Sequence, residues 1–112
     1  MSTAPHILKG LHQIEHQMHS MLAGTTPSYD AAWNIYRQAL SLMTDSPDFM
    51  HPLWLIWGAL TDWFENRPEE KLGAESKMRQ AAEEWLALNR DDVAEVKTYC
   101  DRWIYDEMGY SR

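Results

Sequence analysis

The chain has 112 residues, one cysteine and a formal net charge of −7. That length makes one domain, 1–112, able to bury a core without a metal or a crosslink, and a lone cysteine excludes an internal disulfide framework. The acidic balance argues against nucleic-acid binding, which wants a basic face, and leaves room for a basic partner.

The charge is uneven. Residues 1–56 hold two basic and four acidic side chains, a net of −2, which leaves −5 for the rest. All five histidines stand in the first half. That half, poor in full charges, is the expected place for a partner surface. Met1–His6 shows no basic stretch followed by an apolar one, so no leader is read there, and a reducing, cytoplasmic setting fits the free thiol.

Helix 1 is predicted over Pro5–Ala23, capped by Ser2 or Thr3 and ended by Gly24. Ile7, Leu11, Ile14, Met18 and Met21 form its apolar seam, widened by Leu8 and Leu22. Helix 2 follows, with Thr26 as cap and Pro27 in its first position. Its seam reads Tyr29, Ala32, Tyr36, Ala39 and Met43, with Trp33 and Leu40 widening it and Trp33 counted as core. The helix is expected to end near Thr44, before a loop or short turn capped by Ser46.

Leu53–Phe64 is the most apolar stretch and holds three of the six tryptophans. It predicts a central helix over about 52–66, opened by Pro52 and stopped before Pro68. Taking Leu53 as 0°, Trp57, Leu60, Phe64, Ile56 and Trp63 fall within about 80° of it. Trp54 and Leu55 fall outside that face, near 100° and 200°, so a second surface must cover them. Gly58 is also off the main face, and a glycine there points to close helix approach. The apolar run is far short of the ~20 residues a membrane span needs.

Helix 4 is predicted from Pro68 to about Leu88, with Ala74, Met78, Ala81, Trp85 and Leu88 inward and a Glu75–Arg79 pair outside. Asn89 or Asp91 is the expected cap of helix 5. That helix carries Val93, Val96, Cys100 and Trp103 on one face, pairs Lys97 with Asp101 and Arg102 with Asp106, and ends at Gly109. No strand pattern appears. The fold class is all-α, a compact bundle of four to five helices around a central Trp-rich helix.

One short motif carries candidate chemistry. His12-Gln13-Ile14-Glu15-His16, followed by His19, places imidazoles four residues apart on one helix face, where two can bite one metal ion. The spacing resembles the signature of the inverzincins, zinc peptidases in which such histidines bind zinc and the glutamate is the base. The resemblance spans five residues and implies His12 and His16 as ligands and Glu15 as base. The three histidines lie about 130° around the helix from its seam, which faces them to solvent. The plainer reading is a solvated polar face, and no resident metal or other cofactor is expected.

The aromatic load is the other signal: six Trp, five Tyr and two Phe. Tryptophan and tyrosine favour interfaces and ligand pockets, though at helical spacing they also fill cores. Trp57, Trp85 and Trp103 read as core. Trp54, Leu55, Gly58, Trp63, Tyr105 and Tyr110 read as the candidate interface or ligand-pocket residues. Cys100 reads as a buried, inert thiol. No phosphate loop and no catalytic carboxylate pair is present, so an enzyme is not the favoured reading. The expected function is a non-catalytic protein–protein interaction or regulatory protein of the small acidic adaptor or inhibitor type, self-associating as a homodimer. The alternative is a small-molecule-binding domain with a Trp-lined pocket for an apolar or cationic ligand. A metal-binding protein using the helix-1 histidines is the remote third.

Overall fold

Five helices form, and their apolar stripes decide how they pack. In the computed structural model, which describes residues 5–43 and 47–111, α1 spans Pro5–Ala23, α2 Ser28–Leu42 and α3 Pro47–Asn66. A 3₁₀ turn, Pro68–Glu70, leads into α4, Lys71–Ala87, and α5 covers Val93–Asp101. The backbone then runs on as a π-helical segment, Arg102–Glu107. The fold class is all-α, as the periodicity predicts. The predicted caps Ser2 and Thr3, the end near Thr44 and the turn capped by Ser46 lie outside the described residues.

Helices α1 to α4 close a ring in which each touches the next and α4 returns to α1. Three sets of contacts give antiparallel registers. Gln17 bonds Asn34 while Gly10 meets Leu42, Tyr36 meets Gly58 while Tyr29 stacks on Phe64, and Glu15 meets Trp85 while Arg79 reaches Met21. Helix α5 lies along α3, and its Tyr99 hydroxyl donates to the Ala81 carbonyl of α4 at 2.7 Å. Helix α3 touches α2, α4, α5 and the turns beside them. The radius of gyration, 13.2 Å, matches the ~13 Å of a compact single chain of this length.

The core sits inside that ring. Ile14, Met18, Met21, Ile35, Leu53, Ile56, Trp57, Leu60, Met78, Trp85 and Trp103 are fully buried in it. Burying each such side chain is worth roughly 1.5–3 kcal/mol. Thr61 is buried too, and its hydroxyl donates to the carbonyls of Trp57 and Gly58, both at 3.0 Å, so it brings no unsatisfied group inside.

Several details differ from the sequence reading, each for a local reason. Helix α3 does not start at Pro52 but at Pro47, and Pro52 lies within it. A proline near a helix start forfeits one backbone bond, which the burial of Met50 and Leu53 on the same face outweighs. No side chain caps α2. Pro27 holds the cap position with an extended ψ of 143°, and its carbonyl takes the Ala31 N–H at 3.0 Å. Helix α5 is capped by Asp92, whose carboxylate accepts the N–H groups of Ala94 and Glu95, while Asn89 accepts the Asp91 N–H. Val93 is the first residue of that helix and is 68% exposed, so it does not join the core face.

Two predicted ion pairs give way to longer-range contacts. Arg79 donates to the Met21 and Leu22 carbonyls at the end of α1 instead of pairing with Glu75, placing a cation where the helix dipole favours it. Arg102 pairs with Glu84 and Glu107 instead of Asp106. The Lys97–Asp101 pair forms as expected, at 2.6 Å. Gly24 and Gly109 end their helices with φ of +79° and +78°, a conformation that glycine adopts without strain.

Burial also sets the alkaline limit of the fold. Cys100 is buried, and desolvation, aided by the neighbouring Asp101 carboxylate, pushes its thiol from about 9 up to about 12. Burial pushes the Tyr99 hydroxyl well up in the same way. Both groups hold their protons more tightly folded than unfolded. Their contribution is therefore complete below about pH 9 and is lost as pH rises toward 12. Thermal melts should show Tm falling through that window. The native thiol should stay inert to an aromatic disulfide reagent until the chain unfolds.

Candidate functional site

The outer edge where α2 meets α3 carries a continuous row of stacked rings. Trp33 and Tyr36 stand three residues apart on α2, so they share a helix face, and their centroids lie 5.2 Å apart. Tyr36 stacks next on Trp54 of α3 at 6.3 Å, and Trp54 on His51 at 5.6 Å. The interplanar angles along the row stay between 23° and 29°. Gly58 makes room for it, since a Cβ there would stand 3.1 Å from the Tyr36 ring.

The outer end of the row is open to solvent. Trp33 is 39% exposed, and Leu40, two turns further along the same flank of α2, is 44% exposed. Neither belongs to the core, contrary to the seam read for helix 2. The residues that bury are Ser28, Ala31, Ala32, Ile35, Ala39 and Leu42, which rotates the inward face away from Trp33. Ser28 and the three alanines among them let α1 and α3 approach α2 closely, and the large aromatics are displaced to its flank. A second ring pair, Tyr29 on Phe64 at 4.5 Å, continues the α2–α3 seam, with the Lys71 ammonium 5.1 Å above the Phe64 ring.

Of the six candidate residues, Trp54 and Gly58 meet at this ridge. The others lie elsewhere. Trp63 is at the α3–α4 corner, where its indole N–H donates to Glu70 at 3.0 Å and its ring covers Gly73. Leu55 is half-buried about 100° further around α3 than Trp54. Tyr105 is half-buried in the π-helical segment, and Tyr110 is exposed beyond Gly109. Trp33 and Leu40 are the ridge residues that the sequence reading placed wrongly, and no spacing signal separates an outward tryptophan from an inward one.

The histidines of α1 face outward, as their angle predicts, and His12, His16 and His19 are exposed. Glu15 does not turn toward them. Its carboxylate is 13% exposed, accepts the Trp85 indole N–H at 2.8 Å and pairs with Arg90 at 2.6 Å. Arg90 also donates to the carbonyls of Trp85, Leu86 and Leu88, which closes the end of α4. Glu15 thus braces α1 against α4 instead of standing as a free base. Among the described residues no group of three or more His, Cys, Asp or Glu side chains is placed to hold a metal ion.

Two open depressions lie on the surface of the described residues. One lies between α4 and α5, lined by Glu84, Leu88, Asp92, Glu95, Tyr99 and Arg102 among others. Its carboxylates already serve internal bonds: Glu84 takes the Trp103 indole N–H and Arg102, Asp92 caps α5, and Glu95 takes the Asn89 N–H. The other runs between α1 and α2 and is lined by polar and charged residues. Neither is lined by a tryptophan. No helix among the described residues is long and apolar enough to cross a membrane. No family model matches the chain, and neither a curated protein nor a solved structure matches it.

Proposed function

We propose that this chain is a non-catalytic interaction protein that pairs with a second copy of itself through the α2–α3 ridge. The observation that supports this most is the stacked row Trp33–Tyr36–Trp54–His51, which ends at solvent although the core is already closed by Trp57, Trp85 and Trp103. Rigid aromatic groups at a surface give large contact area at little entropic cost and dominate binding energies at interfaces. Charge bears on which face a second copy would use. At −7 per chain two copies repel, and they repel least where carboxylates are fewest. The first half of the chain carries −2 of that charge, and pairing there keeps the acid-rich α4 and α5 apart. The setting assigned to this dimer is the cytoplasm, where Cys100 stays a free thiol.

The small-molecule reading is weaker. It needs tryptophans around a cavity, and neither surface depression is lined by one. Metal binding by His12, His16 and His19 would need a further ligand from another helix.

A double variant tests the ridge. Trp33→Lys with Leu40→Lys changes two exposed positions, so stability should fall by less than about 1 kcal/mol. Self-association should weaken by roughly a hundredfold, the loss expected when a central aromatic anchor is removed. Light scattering behind size exclusion reads the mass and far-UV circular dichroism reads the fold. A variant that stays as dimeric as the parent removes the ridge from the account.

A further inference from the structure

The polar groove between α1 and α2 holds a charge pattern at odds with the rest of the molecule. It is open, of about 790 Å³, and lined by Lys9, His12, Gln13, His16 and Gln17 of α1 and Asn34, Arg37, Gln38 and Ser41 of α2. The chain has 17 Asp and Glu residues, yet among the described residues none lines this groove. Lys9 and Arg37 are the only Lys or Arg before Arg67, and both stand in this one groove.

The other described cations are all engaged. Arg67, Lys77, Arg90, Lys97 and Arg102 pair with carboxylates, Arg79 holds two carbonyls and Lys71 covers the Phe64 ring. Lys9 and Arg37 meet no carboxylate, carbonyl or ring among the described residues. A solvated polar face explains exposed charges, but it does not explain why the two unengaged cations converge where no carboxylate of the described residues lines the groove.

The remaining lining supplies donors. An ammonium, a guanidinium, two imidazoles and four carboxamides offer many N–H groups toward one channel. Asn34 donates to Gln17 at 3.3 Å across the groove floor and holds the two helices' amides in register. Lys9 to Gln17 spans about 12 Å along α1, which matches roughly four residues of extended chain. The channel is open along that length, which suits a length of chain better than an enclosed small molecule.

We propose that the α1–α2 groove binds an acidic peptide segment, with Lys9 and Arg37 meeting its carboxylates and His12, His16 and the carboxamides bonding the rest. This surface is distinct from the aromatic ridge, and its ligand is read on monomer or dimer alike.

The test uses a tetraglutamate peptide, a tetraglutamine control and inorganic phosphate, each titrated into the protein while histidine ring signals are followed by NMR. Tetraglutamate should shift His12 and His16 saturably, leave His51 in place and weaken with added salt. The double variant Lys9→Gln with Arg37→Gln, at two exposed positions, should keep its circular dichroism and lose roughly tenfold or more in affinity, the loss of at least one charge-assisted contact. Equal binding of tetraglutamine, no saturation, or unchanged affinity in the variant would overturn the proposal. Saturation by phosphate without saturation by tetraglutamate would also overturn it and leave a small-oxyanion site instead.

Discussion

Trp85→Ala should destabilise the protein by about 4 kcal/mol, within the 3–5 kcal/mol typical of a large aromatic removed from a packed core. Trp85 is 1% exposed, meets Tyr99 edge-on at 5.4 Å and donates its indole N–H to Glu15. Whole-domain stability is commonly only 5–15 kcal/mol, so the variant should melt far below the parent. A finer comparison separates volume from hydrogen bonding. Trp57 is as deeply buried, but its indole N–H has no acceptor among the described residues. Phenylalanine removes the donor in both cases. At 57 it removes an unsatisfied group, which offsets part of the lost contact area, and the cost should be about 1 kcal/mol. At 85 it leaves the Glu15 carboxylate short of a partner, and the cost should be about 2–3 kcal/mol. Urea unfolding followed by circular dichroism measures both. Equal losses at the two sites would mean that the Glu15 bond contributes nothing.

Glu15→Ala carries the second large effect. The carboxylate is the shared partner of the Trp85 indole and Arg90, which joins α1 to the end of α4 across 70 residues of sequence. Removing one side of a buried pair costs about 3–5 kcal/mol because the other charge is left unpaired. Arg90 is 31% exposed and keeps its three carbonyl bonds, so water recovers part of that penalty. The expected loss is about 2–3 kcal/mol, against well under 1 kcal/mol for His12→Ala or His16→Ala on the exposed face. Glu15→Gln keeps an acceptor for the indole and should lose less than alanine does. If His12→Ala or His16→Ala instead proved as costly as Glu15→Ala, the division of α1 into a bracing residue and a solvent stripe would fail.

The sequence showed much of this fold because α1, α4 and the core of α3 repeat their apolar residues at clear helical spacing. The bounds of α1 and the glycine stops at Gly24 and Gly109 are local properties, and they were legible for that reason. In α2 two overlapping stripes competed. The predicted stripe joins Ala32 and Ala39 to the large Tyr29, Tyr36 and Trp33, while packing joins the same two alanines to Ala31, Ile35 and Leu42 and leaves the aromatics on the flank. The ridge is therefore half visible in the sequence: Trp54 and Gly58 stand off the main face of α3, but helical spacing places Trp33 and Tyr36 of α2 in the predicted seam. The Glu15–Arg90–Trp85 junction has no local signature at all, since its members meet only through the tertiary fold. The same holds for the α1–α2 groove, whose two cations are 28 residues apart in the chain.

Sedimentation equilibrium of the unmodified protein, run over a wide range of concentration, decides whether two chains pair through the ridge. The ridge account predicts a mass of two chains that falls to one on dilution, and one chain throughout for Trp33→Lys with Leu40→Lys. A single-chain mass at every concentration, or a dimer that this variant leaves intact, would contradict it.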